Sequence, residues 1–333
     1  MDQDWTPQRL LETSGNYWCA GALHAAASLD LFTVIGDQRL TTEAVASRIG
    51  SNPRATGMLL HALTALGLLA KDQETFANTP ASALYLCRDS GDYLGHIIRH
   101  HHHLVESWAR LDQTVRTGRP QHPPVPSGGD AERRESFLLG MFNLASQLAP
   151  VLVPQVELGS RRRLLDLGGG PGTYALYFCR QHPELQAVVF DLPATRPFAE
   201  KTIERFELTD RVSFQAGDYL HDPIQGSYDI VWLSHVLHGE GPQGCAHLLR
   251  QAASVLEPGG LLLVHEFLLN DDLAGPPFST LFNLNMLLAT ESGQAYSTAQ
   301  ITTMLESAGL GEIRRLPLEL PGETGVVAGV RRP

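Results

Sequence analysis

Cysteine is scarce and scattered. Cys19, Cys87, Cys179 and Cys245 are the four in 333 residues, and none stands in a C-x-x-C pair. That spacing argues against a zinc site and a disulfide framework, and makes a reducing cytoplasm the default setting. Long hydrophobic runs are missing too. The acidic start Met1-Asp2-Gln3-Asp4-Trp5 leads into no apolar stretch, so neither a signal peptide nor a membrane span is expected. Basic residues are outnumbered, 25 Lys+Arg to 36 Asp+Glu, for a net charge of −11. Such a balance argues against nucleic acid and anionic membranes as partners and favours a small neutral or aromatic molecule. No internal repeat is visible. What remains is ordinary globular composition, 43% hydrophobic and 18% charged, in a chain long enough for two folding units.

From Pro7 to Tyr85 apolar residues recur at helical spacing, through Leu23, Ala26, Ala27 and Leu31 and again from Leu59 to Leu69. Thr41 reads as a helix cap, Pro53 as the first turn of the next helix, and Lys71 to Thr79 as a hairpin region. This is a winged-helix silhouette over residues 1–90, a shape often used on DNA. Six basic side chains there face nine acidic ones, so self-association is the expected role and DNA binding the alternative. Residues 91–118 read as a helix ending at Gly118, Pro120–Gly129 as a loop, and 131–158 as helix again. The expected domains are thus 1–90, a helical connector over 91–158, and an α/β domain over 159–333.

His96, His100 and His103 fall at i, i+4 and i+7, beside His101 and His102. Zinc would also want supporting carboxylates, and only Glu106 is near, so a solvated or pocket-lining helix face is expected and no metal ligand set is assigned.

The stretch Leu164-Leu165-Asp166-Leu167-Gly168-Gly169-Gly170-Pro171-Gly172-Thr173 runs an apolar strand into a glycine turn that opens a helix. Such a turn admits a ligand to the carboxyl end of a parallel strand. Gly168, Gly170 and Gly172 follow G-x-G-x-G, not the dinucleotide spacing G-x-G-x-x-G, with Asp166 two residues before the turn. A pyrophosphate wants a free helix amino end. S-adenosylmethionine (SAM), cationic and without phosphate, suits acidic side chains better. Ala187 to Asp191 reads as a second buried strand whose carboxylate, with Leu192 beside it, stands where a ribose hydroxyl is held in both SAM and NAD proteins. A third strand, Val212 to Tyr219, ends in Asp218 for the adenine amino group, with Tyr219 alongside. Together these favour SAM over a dinucleotide.

The fourth strand, from Tyr228, ends in His235 and His238; the fifth, Leu261 to Val264, ends in His265-Glu266. As sheet neighbours they would bring His238 and Glu266 together above the carboxyl edge. Imidazole titrates near neutrality and a carboxylate fixes its tautomer, so the pair reads as a general base with its orienter. The alternative is a helix cap and a solvated strand end.

With these residues the chain resembles the small-molecule O-methyltransferases, which include plant caffeate and flavonoid enzymes and bacterial polyketide-tailoring enzymes. The likeness takes in the winged-helix region, Phe137 to Met141, the glycine turn, Val231 to His238, Glu257-Pro258-Gly259-Gly260, and Ala289 to Ser297. It implies a Rossmann-like, SAM-dependent methyltransferase domain preceded by a mostly helical winged-helix dimerisation domain, in an intertwined homodimer. SAM would become S-adenosylhomocysteine (SAH) as a phenolic or enolic hydroxyl of a small metabolite is methylated. His238 would be the base and Glu266 the first of two flanking acids, with Met141, Asn283 and Met286 lining the acceptor pocket. Three positions depart from the family pattern. Gly239-Glu240 replaces Asp-Trp, Ala295 stands at the second acid, and Ser234, counted with the cofactor residues, stands where a lysine is frequent. Retention of SAM for hydroxylation, decarboxylation or a pericyclic step is the alternative within enzymes, and a SAM-sensing DNA regulator the alternative outside them.

Overall fold

The structure, a computed structural model, describes residues 5–121 and 131–332. Most of the loop expected at Pro120–Gly129 lies outside the described residues. The chain forms two compact units, Met1–Val105 and Glu106–Pro333.

In the first unit helices pack around a small sheet of β1 (Leu40–Thr41), β2 (Leu69–Asp72) and β3 (Thr75–Asn78), in the order β1-β3-β2. The Thr41 hydroxyl accepts the Ala44 N–H at 3.3 Å to start helix Thr42–Ile49. Asn52 does the same for Ala55 at 3.1 Å ahead of Pro53. Each such cap contributes about 0.5–2 kcal/mol. Phe32, Ile35, Leu60, Leu63 and Phe76 close the core between helices and hairpin.

The single helix expected over 91–118 is two, Gly95–Trp108 and Leu111–Thr117. Arg110, at φ −112° and ψ 17°, leaves the helical region, and its N–H bonds Ser107 O at 2.9 Å. The Trp108 indole N–H, bonded to Asn285 Oδ1 at 3.0 Å, fixes the break from outside the segment. Gly118 ends the second helix at φ +67°, as its sequence suggests. Among the described residues, Ala131–Gln155 is long and apolar enough to pass for a membrane span by length and composition, which corrects the expectation that no such run exists. Its Leu138, Ala149 and Leu152 are buried in the fold.

The second unit is built on an eight-stranded mixed sheet: β4 (Arg163–Leu167), β5 (Gln186–Asp191), β6 (Val212–Ala216), β7 (Tyr228–Ser234), β8 (Leu256–Leu269), β9 (Tyr296–Ser297), β10 (Leu310–Arg315) and β11 (Thr324–Arg331), ordered β10-β11-β8-β7-β4-β5-β6 with β9 beside β8. Strands β4 to β8 pair in parallel; β11 returns antiparallel along β8 and carries β10. Apolar side chains alternate onto both faces. Leu164, Ile230, Trp232 and Leu263 pack on one, Leu165, Val231, Leu233 and Val264 on the other. The chain leaves β4 for β5 on one side and returns as β7 on the other, which opens a crevice at the carboxyl ends of β4 and β7.

The expected fifth strand is longer than its sequence suggested. Strand β8 begins at Leu256, before Pro258, because a register shift opposite Tyr228 and Ile230 absorbs the Pro-Gly-Gly segment, and it runs on to Leu269. His265 and Glu266 therefore sit inside a strand, not at its end.

Candidate active site

The glycine turn follows β4, with Gly168, Gly170 and Gly172 at φ +69°, +55° and +78°. A Cβ on Gly168 would stand 2.7 Å from Val236 Cγ2, so this glycine lets the turn close against the segment that carries the histidines. At Gly170 a Cβ would meet nothing within 4 Å, which leaves the turn open to a ligand.

Asp191 ties this turn to β5. Its Oδ2 accepts the Gly170 N–H at 2.8 Å; its Oδ1 accepts the Leu192 N–H at 2.7 Å and the Thr195 hydroxyl at 3.0 Å. Oδ2 keeps a lone pair for an outside hydroxyl. Asp166 lies buried beneath the turn, its Oδ2 accepting the Ala175 N–H at 3.2 Å. Burial raises its carboxyl to about 7; the Ala175 N–H opposes the rise and Asp191 adds to it. Burial pushes Asp191 up as well. Among the described residues no Lys or Arg ion pair reaches either acid, so the turn fits a cation that carries ribose hydroxyls, as SAM does.

Beyond β6, Asp218 holds its own turn: Oδ1 accepts the Leu220 N–H at 2.9 Å and Oδ2 lies 3.0 Å from His221 Nδ1. The Tyr219 hydroxyl donates to Glu240 Oε1 at 3.1 Å. Burial pushes that phenol up, and Glu240 pushes it further. Ser234 is bonded to His265 Nδ1 at 2.8 Å. His265 is fully buried against Trp232, and burial lowers it well below its ordinary value, so it is neutral.

His238 stands in a 3-10 turn just past β7. Its backbone N–H reaches Glu266 Oε1 at 3.3 Å and its Nδ1 meets Oε2 at 2.8 Å. Burial alone would raise the Glu266 carboxyl; the imidazoles of His238 and His235 reverse that and hold it well below the usual carboxylate range. An ionised carboxylate only accepts, so Nδ1 carries a proton, and a neutral ring held this way leaves Nε2 its lone pair. The pairing expected of β7 and β8 thus brings His238 and Glu266 together.

Sequence reasoning left the surroundings of this pair unread. His235, at φ +56°, turns its Nδ1 to 3.5 Å from Glu266 Oε2. Phe282 meets the His238 ring edge-on at 4.8 Å, and Phe267 and Phe278 extend that wall. The i, i+4 spacing of Phe278 and Phe282 was the available signal. Met286 is buried on the same helix, Pro277–Ala289, and Asn283 Oδ1 accepts the Ala295 N–H at 2.8 Å. Met141 sits half-buried on helix Ala131–Leu152. In the histidine-rich helix the Arg99 guanidinium donates to His96 Nδ1 at 3.1 Å.

Residues 108–311 match the O-methyltransferase domain and residues 11–88 the O-methyltransferase dimerisation domain. The chain is 34% identical to 3-hydroxy-5-methyl-1-naphthoate 3-O-methyltransferase of Streptomyces sahachiroi over 330 residues, 98% of this chain and 95% of that one. It is 33% identical to the tetracenomycin polyketide synthesis 8-O-methyl transferase of Streptomyces glaucescens over 324 residues, 95% and 94% of the two chains. The crystal structure of human N-acetylserotonin methyltransferase in complex with SAM is similar with a TM-score of 0.87 at 25% identity, covering 100% of this chain and 99% of that chain. Glycine turn, strand-end acids and sequence relatives agree: the chain belongs to the SAM-dependent O-methyltransferases, enzymes that methylate hydroxyl groups of small metabolites.

Proposed function

We propose that His238 is the general base that takes the proton from a phenolic or enolic hydroxyl of a largely apolar acceptor as its oxygen is methylated. The observation that carries this reading is the 2.8 Å bond from His238 Nδ1 to the buried Glu266 carboxylate. A phenol titrates near ~10 and attacks poorly while protonated. With Nδ1–H held by Glu266, Nε2 faces the acceptor as a proton acceptor, and Glu266 stabilises the imidazolium that forms. Phe282 and Phe267 limit water around that transfer.

SAM supplies the methyl group on a sulfonium that leaves as a neutral thioether. Gly168, Gly170 and Gly172 admit it, Asp191 and Leu192 hold the ribose, and Asp166 supplies negative charge under the turn. Asp218 shapes the adenine end, with Tyr219 tethered to Glu240, while Ser234 and His265 form the floor. Asn283, Met286 and Met141 line the acceptor side. Calorimetric titration of ligand-stripped protein with SAM and SAH, followed by a mass screen of phenolic acceptors, tests the reading. Micromolar binding of both and a product heavier by one methylene are expected; an acceptor converted without that gain would overturn it.

Asp166 makes the titration pH-dependent. A cation at the turn favours the ionised carboxylate, so binding releases a proton when the carboxyl starts near about 7. SAM affinity should rise with pH up to that value, by at most about tenfold per unit, and Asp166→Asn should flatten the slope. The sign for stability is opposite. The native state keeps a proton that the unfolded chain gives up above ~3.9, so the ligand-free protein should lose stability as pH rises from about 4 to about 7.

Residues 1–90 are assigned to self-association as a winged-helix homodimer, and 91–158 to the helical connector. Trp5, Leu10, Leu11, Tyr17 and Trp18 are exposed apolar side chains within or beside the matched dimerisation segment. Light scattering at twice the chain mass is the expected result. The free cysteines suit a cytoplasmic setting.

A further inference from the structure

We propose that His235, His238 and Glu266 form a site for one borderline divalent transition ion, and that filling it switches methyl transfer off. The switching half rests on His238 being the base. One ring nitrogen of each histidine and a Glu266 oxygen lie within 4.8 Å of one another. Two of the separations, 2.8 Å from His238 Nδ1 and 3.5 Å from His235 Nδ1 to Oε2, bracket the ~3.3 Å between neighbouring ligands of a tetrahedral ion bound at ~2.0 Å. Two imidazoles and a carboxylate, with further positions left open, suit Zn²⁺ or Co²⁺ better than Mg²⁺, which prefers oxygen alone.

The second observation is His235 itself. It occupies the left-handed region at φ +56°, unusual for a residue with a Cβ, and its Nδ1 is shielded from water with only the long 3.5 Å approach to Glu266 Oε2 beside it. His265 packs against one side of its ring at 4.6 Å and Phe267 lies 4.3 Å away, so the ring is held toward Glu266. Base catalysis by His238 needs only Glu266; a third converging ligand atom is what a metal adds a use for.

The consequence follows from the tautomer. A neutral imidazole has one proton. Coordination through Nδ1 of His238 moves that proton, through solvent, to Nε2, with no net gain or loss. Nε2–H then faces the acceptor as a donor and can take nothing from it. The ion also occupies the Glu266 oxygen that had steadied the ring.

The test uses full-length, ligand-stripped protein carrying His101→Gln and His102→Gln to weaken adventitious binding by the histidine run. Titration with Co²⁺ should give visible absorption saturating at one equivalent, with affinity reduced on the order of tenfold or more by either Glu266→Gln or His235→Ala. His235→Ala suffices should the buried Glu266 variant not fold. Zn²⁺ with ¹⁵N-labelled histidine should convert His238 from the Nδ1–H to the Nε2–H tautomer, and EDTA should reverse it. Absorption absent, or indifferent to both substitutions, overturns the site. Full Co²⁺ occupancy with unchanged turnover of the acceptor found by mass leaves the site standing but overturns the switch, and the base reading with it.

Discussion

Replacing His238 with glutamine is expected to lower methyl transfer about 10²–10⁴-fold while SAH binds as before, because the change removes the proton acceptor and leaves the glycine turn intact. Glutamine keeps a donor for Glu266. Alanine does not, and leaves that carboxylate, 2% exposed, with the backbone N–H at position 238 and the longer approach of His235. Stripping one partner from a buried charge typically costs about 3–5 kcal/mol, so His238→Ala should also melt earlier. Glu266, held below its unfolded value, contributes stability above about pH 4 that is lost as the pH falls through its folded value. In His238→Ala that carboxyl should titrate higher and the acid limb of stability should begin nearer neutrality. Turnover, calorimetric SAH affinity and melting temperature across pH check all three parts. Unchanged turnover with an identified acceptor would remove His238 from the mechanism.

Gly168→Ala and Gly170→Ala should separate two ways of losing the cofactor. At Gly168 the new methyl meets Val236 at 2.7 Å and the residue must hold φ +69°. Overpacking of about 1–3 kcal/mol adds to about 1–2 kcal/mol for the left-handed conformation, so this variant should be destabilised by several kcal/mol as well as bind SAH poorly. At Gly170, φ is +55° but nothing lies within 4 Å, so only the conformational term applies. There the methyl projects into open space beside the turn. SAH affinity should fall on the order of a hundredfold while melting shifts modestly. Unchanged SAH affinity in Gly170→Ala would mean that the open side of Gly170 does not receive the ligand.

How far the sequence led depended on whether a signal was local. Thr41, Pro53 and the glycine turn carry their reasons within a few residues, and each stands where the pattern put it. The meeting of His238 with Glu266 was legible because β7 ends opposite His265 of its parallel neighbour β8. Other features depend on partners distant in the chain. The continuation of β8 needs β11 beside it, and β11 is a buried run whose period alone gives no direction. The break at Arg110 is fixed by Asn285, and the reach of His235 toward Glu266 comes from one backbone angle. Asp191 was read as a ligand for ribose, whereas most of its hydrogen-bonding capacity visibly goes to holding Gly170, Leu192 and Thr195 in place.

Glu266 lies mid-strand, one residue past the last β8 residue paired with β7, and faces Gly325 of β11. Phe278, Phe282, Asn283 and Met286, by contrast, stand together on one helix. Moving the carboxylate would require disturbing the interior of the sheet; recasting the wall opposite it requires only new side chains on a surface element. Such a division would let the aromatic wall be recast by a handful of replacements while the His238–Glu266 pair keeps its place in the sheet.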